Sequence, residues 1–112
     1  MSKVELIGEA NYVQSVKEAG GVWILVEENR LYSIKAENGN KLLTWTTQEE
    51  AVEFANKTEH KKLSGVFAPI EIIVNSWLKS ESMQFVEVGA CPRHGFSTLT
   101  FTSEEYIETF KT

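Results

Sequence analysis

A thiol, a guanidinium and an imidazole fall within four consecutive positions, Cys91-Pro92-Arg93-His94, with Gly95 behind them. This is the one polar cluster in the chain that looks chemical. Cations close to a thiol stabilise the thiolate, so Arg93 and His94 would lower the pKa of Cys91 and make it a nucleophile or redox sensor. The competing account is structural. Gly89, Pro92 and Gly95 suit a hairpin loop whose polar side chains face water. No second cysteine is present to resolve a sulfenic acid, and no glycine-rich phosphate cradle surrounds the thiol. Cys91, Arg93 and His94 are thus the catalytic candidates if the chain is an enzyme, and the balance is toward no catalysis.

Other chemistries have less to work with. His60 and His94 are the only histidines, and neither has a ligand at metal-site spacing, so neither a metal nor a cofactor is expected. All 16 acidic residues are glutamate. Aspartyl nucleophiles, EF-hand loops and a Ser-His-Asp triad are therefore excluded within the chain. The pairs Glu49-Glu50 and Glu104-Glu105 fall where helices should start, and helix capping explains them better than glycosidase chemistry. Glu27-Glu28 falls in a turn. Trp23, Trp45 and Trp77 could line a binding groove, since tryptophan is enriched at interaction hot spots. Core packing accounts for Trp23 and Trp77. Trp45, on a short strand expected at a sheet edge, is the most open of the three and joins Arg93 and His94 as a candidate binding residue.

The elements that must position these groups follow from periodicity. The 112 residues, 42% hydrophobic and 24% charged, fit one globular domain spanning the chain. Residues 5–19 carry Tyr12, Val13, Val16 and Ala19 at helical spacing, stopped by Gly20-Gly21. The apolar run Val22-Trp23-Ile24-Leu25-Val26 predicts a central strand covered on both faces. Residues 31–36 and 42–46 predict two more strands, joined by a hairpin at Asn38-Gly39. Thr46 or Thr47 caps a helix bearing Ala51, Val52, Phe54 and Ala55. Residues 58–67 read as a loop. Pro69 opens a helix with Ile70, Ile73, Val74, Trp77 and Leu78 on one face. Residues 83–88 and 97–102 predict two strands, and Thr102 with Glu105 forms a capping box for a last helix docked by Tyr106 and Phe110. The order αβββααββα predicts an α+β domain: one five-stranded, mainly antiparallel sheet with helices mostly on one face.

Several of these segments together resemble the DUF2750 family, small bacterial proteins of unknown function. They are Asn11-Tyr12-Val13 leading to Gly21-Val22-Trp23-Ile24-Leu25, and Leu42-Leu43-Thr44-Trp45-Thr46 followed by Glu49-Glu50-Ala51. Pro69-Ile70-Glu71 with Trp77-Leu78, Gln84-Phe85-Val86-Glu87-Val88-Gly89 and Thr102-Ser103-Glu104-Glu105-Tyr106 complete the set. Thr44 and Thr46 stand where the family often has proline or other residues. The resemblance implies a fold over nearly the whole chain. It implies no activity, because the family has no catalytic motif to transfer.

Partners are bounded by charge. A net charge of −5 opposes nucleic acid, whose affinity rests on phosphate contacts. The cluster Lys57, His60, Lys61, Lys62 is interrupted by Glu59 and has no interleaved aromatics. No stretch approaches the roughly 18 apolar residues of a membrane span, and no signal-peptide core is evident, so the cytoplasm is expected. The resulting expectation is a non-catalytic protein-interaction module. It would bind a protein partner, or itself as a homo-oligomer, through an uncovered sheet face or the strand edge near residues 42–46. The alternative is a small-molecule-binding or thiol-dependent enzyme using the Cys91–His94 loop.

Overall fold

The computed structural model describes residues 3–58, 62–92 and 98–111. Helix α1 (Lys3–Ala19) buries Tyr12 and Val16. It stops at Gly20, whose φ of +78° is cheap only without a Cβ. Strand β1 (Gly21–Glu27) follows at once. Its turn to β2 (Arg30–Leu31) uses Glu28 and Asn29, both at positive φ, between the paired residues Glu27 and Arg30. That is the backbone of a two-residue hairpin whose twist matches its strands.

The expected strand 31–36 divides at Tyr32. Leu31 pairs with β1, whereas β3 (Ser33–Ala36) pairs with β4 (Gly39–Thr44). One continuous segment thus passes from one sheet to the other. The turn between β3 and β4 centres on Glu37 and Asn38, since Ala36 faces Gly39. Gly39 itself serves a different need. A Cβ there would lie 2.4 Å from the Gln84 carbonyl oxygen and 2.9 Å from Val86 Cγ1. Glycine therefore lets the start of β6 (Phe85–Ala90) approach β4 closely. Gly39→Ala should cost about 1–3 kcal/mol of stability through overpacking. Urea unfolding of the variant checks this, and an unchanged midpoint would show that the strands separate freely.

Helix α2 (Gln48–Asn56) is capped by Thr47, whose hydroxyl accepts from Glu50 N. The stretch expected to be a loop contains strand β5 (Ser64–Pro69), antiparallel to β1 over six paired positions. Gly65 and Pro69 dilute its strand signal, and both residues are tolerated at a sheet edge. Pro69 ends that strand, and α3 (Ile70–Ile72) begins one residue later, running into a π-helical turn, Ile73–Trp77. Ile73, Val74 and Leu78 of the expected apolar face are buried. Strand β7 (Leu99–Thr102) leads into α4 (Ser103–Phe110) through the anticipated Thr102–Glu105 capping box.

The domain is α+β, but the single five-stranded sheet is replaced by two sheets ordered β2-β1-β5 and β3-β4-β6-β7. Four of the five strand pairings are antiparallel, while β4 and β6 are parallel. A parallel pair needs a long crossover, which α2, β5 and α3 provide. Trp23 and Trp45 join the two sheets by exchanging backbone hydrogen bonds of 2.8 and 2.9 Å. α1, α3 with its π turn, and α4 share one core with Val22, Ile24, Leu42, Val88 and Phe101. α2 covers a second core of Leu25, Leu43, Trp45, Ala51 and Ala55. Neighbouring residues such as Ile24 and Leu25 enter opposite cores, so β1 is apolar throughout, as its run of residues implies.

Candidate functional site

The site is built from four segments far apart in sequence. Thr44 ends β4, Cys91 follows β6, Tyr12 sits mid-way along α1, and Tyr106 lies on α4. Thr44 is fully buried, and its Oγ1 donates to the Gly89 carbonyl at 2.8 Å. A threonine has one hydroxyl proton. Tyr12 must therefore donate to Thr44 Oγ1 (2.5 Å), and Tyr106 in turn donates to the Tyr12 oxygen (2.9 Å). The proton order Tyr106 to Tyr12 to Thr44 to Gly89 is fixed by counting hydrogens. Burial raises both phenol pKa values well above that of free tyrosine. These groups keep their protons at neutral pH and satisfy the core.

Beside this chain of hydroxyls runs a groove of about 360 Å³ whose walls include Asn11, Ser15, Thr46, Glu50 and Cys91. Cys91 is half-buried and held at φ +50°, an uncommon conformation for a residue with a Cβ. Its N–H donates to the Thr44 carbonyl at 2.7 Å, and its Sγ lies 3.8 Å from Thr46 Oγ1. Glu50 Oε1 accepts from the Thr46 and Thr47 hydroxyls at 3.4 and 3.1 Å, so its carboxylate is engaged in the start of α2. Tyr12, Ala90 and Leu99 also line it, and its walls are more apolar than polar. Arg93 and His94, expected to activate the thiol, lie outside the described residues, as does His60. Among the described residues, no group of three His, Cys, Asp or Glu side chains could hold a metal ion. No helix among them is long and apolar enough to cross a membrane.

Trp45 requires a correction. Expected to be the most open tryptophan, it is 1% exposed, whereas Trp23 and Trp77 are half-buried. Among the described residues, β4 lies between β3 and β6 and Trp45 is bridged to Trp23 of β1, so the expected edge near residues 42–46 is occupied. The Trp45 indole N–H donates to the Pro92 carbonyl at 3.1 Å, and its ring centroid is 5.1 Å from that of Phe54. It holds Pro92, next to Cys91, and at 1% exposure it offers no surface for binding.

The open edge lies elsewhere, on β5. Ile70 N–H donates to the Gly20 carbonyl, one step beyond the Gly21–Pro69 pair. Hydrogen-bonded pairs alternate along an antiparallel ladder. Ala68, Val66 and Ser64 therefore direct their backbone groups to β1, while Gly65, Phe67 and Pro69 direct theirs away. Trp23 agrees with this phase, since its backbone bonds Trp45 on the opposite side. Among the described residues, β5 pairs with β1 alone. Val66 and Phe67 are 42% and 39% exposed, and the Phe67 ring packs on Trp23 at 5.6 Å. Val52 on α2 and Ile72 on α3 are also exposed large apolar residues. Sequence reasoning missed this edge because it missed the strand. The neutral stretch Ser64-Gly65-Val66-Phe67-Ala68-Pro69, in an acidic chain, is the signal that was present. No family model matches the chain, and no curated protein matches it.

Proposed function

We propose that this chain is a non-catalytic protein-interaction module of the bacterial cytosol, of the DUF2750 type, that receives an extended protein strand along the open edge of β5. The observation that supports it most is the outward direction of the Gly65 and Phe67 backbone groups, flanked by exposed Val66, Phe67 and Val52. Strand addition draws affinity from such backbone groups and specificity from the side chains beside them. Edges not meant for pairing carry charges or bulges, whereas β5 has no charged residue between Ser64 and Pro69. The DUF2750 assignment rests on the quoted sequence segments, and the bacterial cytosol rests on that resemblance and on composition.

Val66→Lys places a charge on the edge at a side chain that is already exposed. The immobilised wild-type chain should retain a protein from a bacterial lysate that the Lys variant does not. Adding that protein, once purified, should slow amide exchange at Gly65 and Phe67. Equal retention by both chains, or protection that avoids β5, would refute the reading.

A further inference from the structure

We infer that the occupant of the β5 edge is the same strand of a second copy of this chain, an inference that rests on the interaction reading above. The strand is self-complementary about a two-fold axis at Val66. Only Gly65, Phe67 and Pro69 present backbone groups outward, and Pro69 has no N–H. In an antiparallel pair, outward-directed residues must face outward-directed residues. A two-fold axis at Val66 sets Gly65 of each copy opposite Phe67 of the other. Each such pair exchanges two hydrogen bonds, and none of these needs the missing proline donor. A two-fold at Phe67 would instead aim both Gly65 carbonyls at proline rings, leaving them without donors.

The side chains favour the same register. Val66 of one copy meets Val66 of the other in the closely spaced, non-hydrogen-bonded position, covering the more exposed of the strand's two large apolar side chains. The Phe67 ring leans over Gly21, where its Cζ lies 2.8 Å from the place a Cβ would occupy. Opposite it, Gly65 of the second copy has no side chain to collide with that ring. The strand alone falls short of the about 800 Å² per partner of a stable interface. Val52 on α2, which packs over Gly65, extends the contact on one side, and Ile72 beyond the end of β5 extends it further.

The test uses the full chain. Sedimentation velocity should show a concentration-dependent dimer that Val66→Lys converts to monomer with an unchanged circular dichroism spectrum. In a Cys91→Ala background, Val66→Cys should form a covalent dimer under mild oxidation, because a non-hydrogen-bonded pair sets Cα atoms about 4.5 Å apart, within disulfide range. Ile34→Cys, on the exposed side of β3, should stay monomeric. A monomeric wild type at every concentration overturns self-pairing, as does cross-linking at Val66 no better than at Ile34. If a lysate protein nevertheless protects the Gly65 and Phe67 amides, strand docking stands and only the identity of the occupant is wrong. If neither occurs, both fail.

Discussion

Trp45→Ala is expected to remove about 4 kcal/mol of stability, toward the upper end for large-to-small changes in a core. The indole is 1% exposed and fills the second core between Leu25, Leu43, Ala51 and Ala55. Two elements lean on it from opposite sides. Phe54 of α2 packs at 5.1 Å, and the Pro92 carbonyl accepts its N–H at 3.1 Å. Alanine leaves a cavity and strips a buried carbonyl of its donor. Trp45→Phe separates the two losses: it keeps most of the apolar volume and forfeits the hydrogen bond, for about 1–3 kcal/mol. Urea unfolding followed by circular dichroism measures both. A loss below about 2 kcal/mol for the alanine variant would mean that α2 collapses readily onto the sheet.

Tyr12→Phe and Tyr106→Phe delete the same atom type from the same cluster, yet they should differ. Tyr12 stands in the middle of the donor order. Its loss takes the 2.9 Å acceptor from the buried Tyr106 hydroxyl and the tyrosine donor from Thr44, which costs about 1–3 kcal/mol. Tyr106 stands at the head. Its loss leaves Tyr12 still donating to Thr44, and the expected cost is about 1 kcal/mol or less. The double variant should be more stable than the sum of the singles implies, because the Tyr12–Tyr106 bond that each single variant removes is lost only once. Equal single-variant costs would contradict the proton order.

The same pair sets the response to alkali. Burial raises both phenol pKa values in the folded state, while the unfolded values stay near 10. Above that pH the unfolded chain has released protons that the folded protein still holds, so stability falls as pH rises. Below about pH 10 the contribution is fully present; above it each tyrosine removes about 1.4 kcal/mol per pH unit. The wild type should therefore lose stability in alkali about twice as steeply as either phenylalanine variant. Denaturant midpoints measured between neutral pH and strong alkali give the slopes directly.

What was legible in the sequence was local. The Thr102–Glu105 capping box, the Gly20 stop and the double-sided burial of β1 each depend on a few adjacent residues, and each is present. What was not legible depends on partners far away. Trp45 is buried because Leu25, Trp23 and the residues of α2 close around it while Pro92 accepts its N–H, and nothing in the stretch 42–46 announces those neighbours. β5 was hidden by its own glycine and proline. Of the candidate site, Cys91 was visible as a reactive type, and it does line a groove. Tyr12, Thr44 and Tyr106 looked like ordinary members of a helix, a strand and a helix. The one hint was Thr44, a hydroxyl inside an apolar run, where a buried donor needs an acceptor.

The bond between Tyr12 and Tyr106 spans 94 positions. It makes the first and last helices co-owners of a single core. A nascent chain emerging from the ribosome therefore carries a helix whose partner has yet to be synthesised. The apolar faces of α1 and β1 lack that part of their cover until α4 has been made and has docked. Contacts of such long sequence separation also slow the closing step. During that interval the rings of Tyr12 and Phe101, which Tyr106 and Phe110 otherwise cover, face water, so the docking of α4 is the step that dries this core.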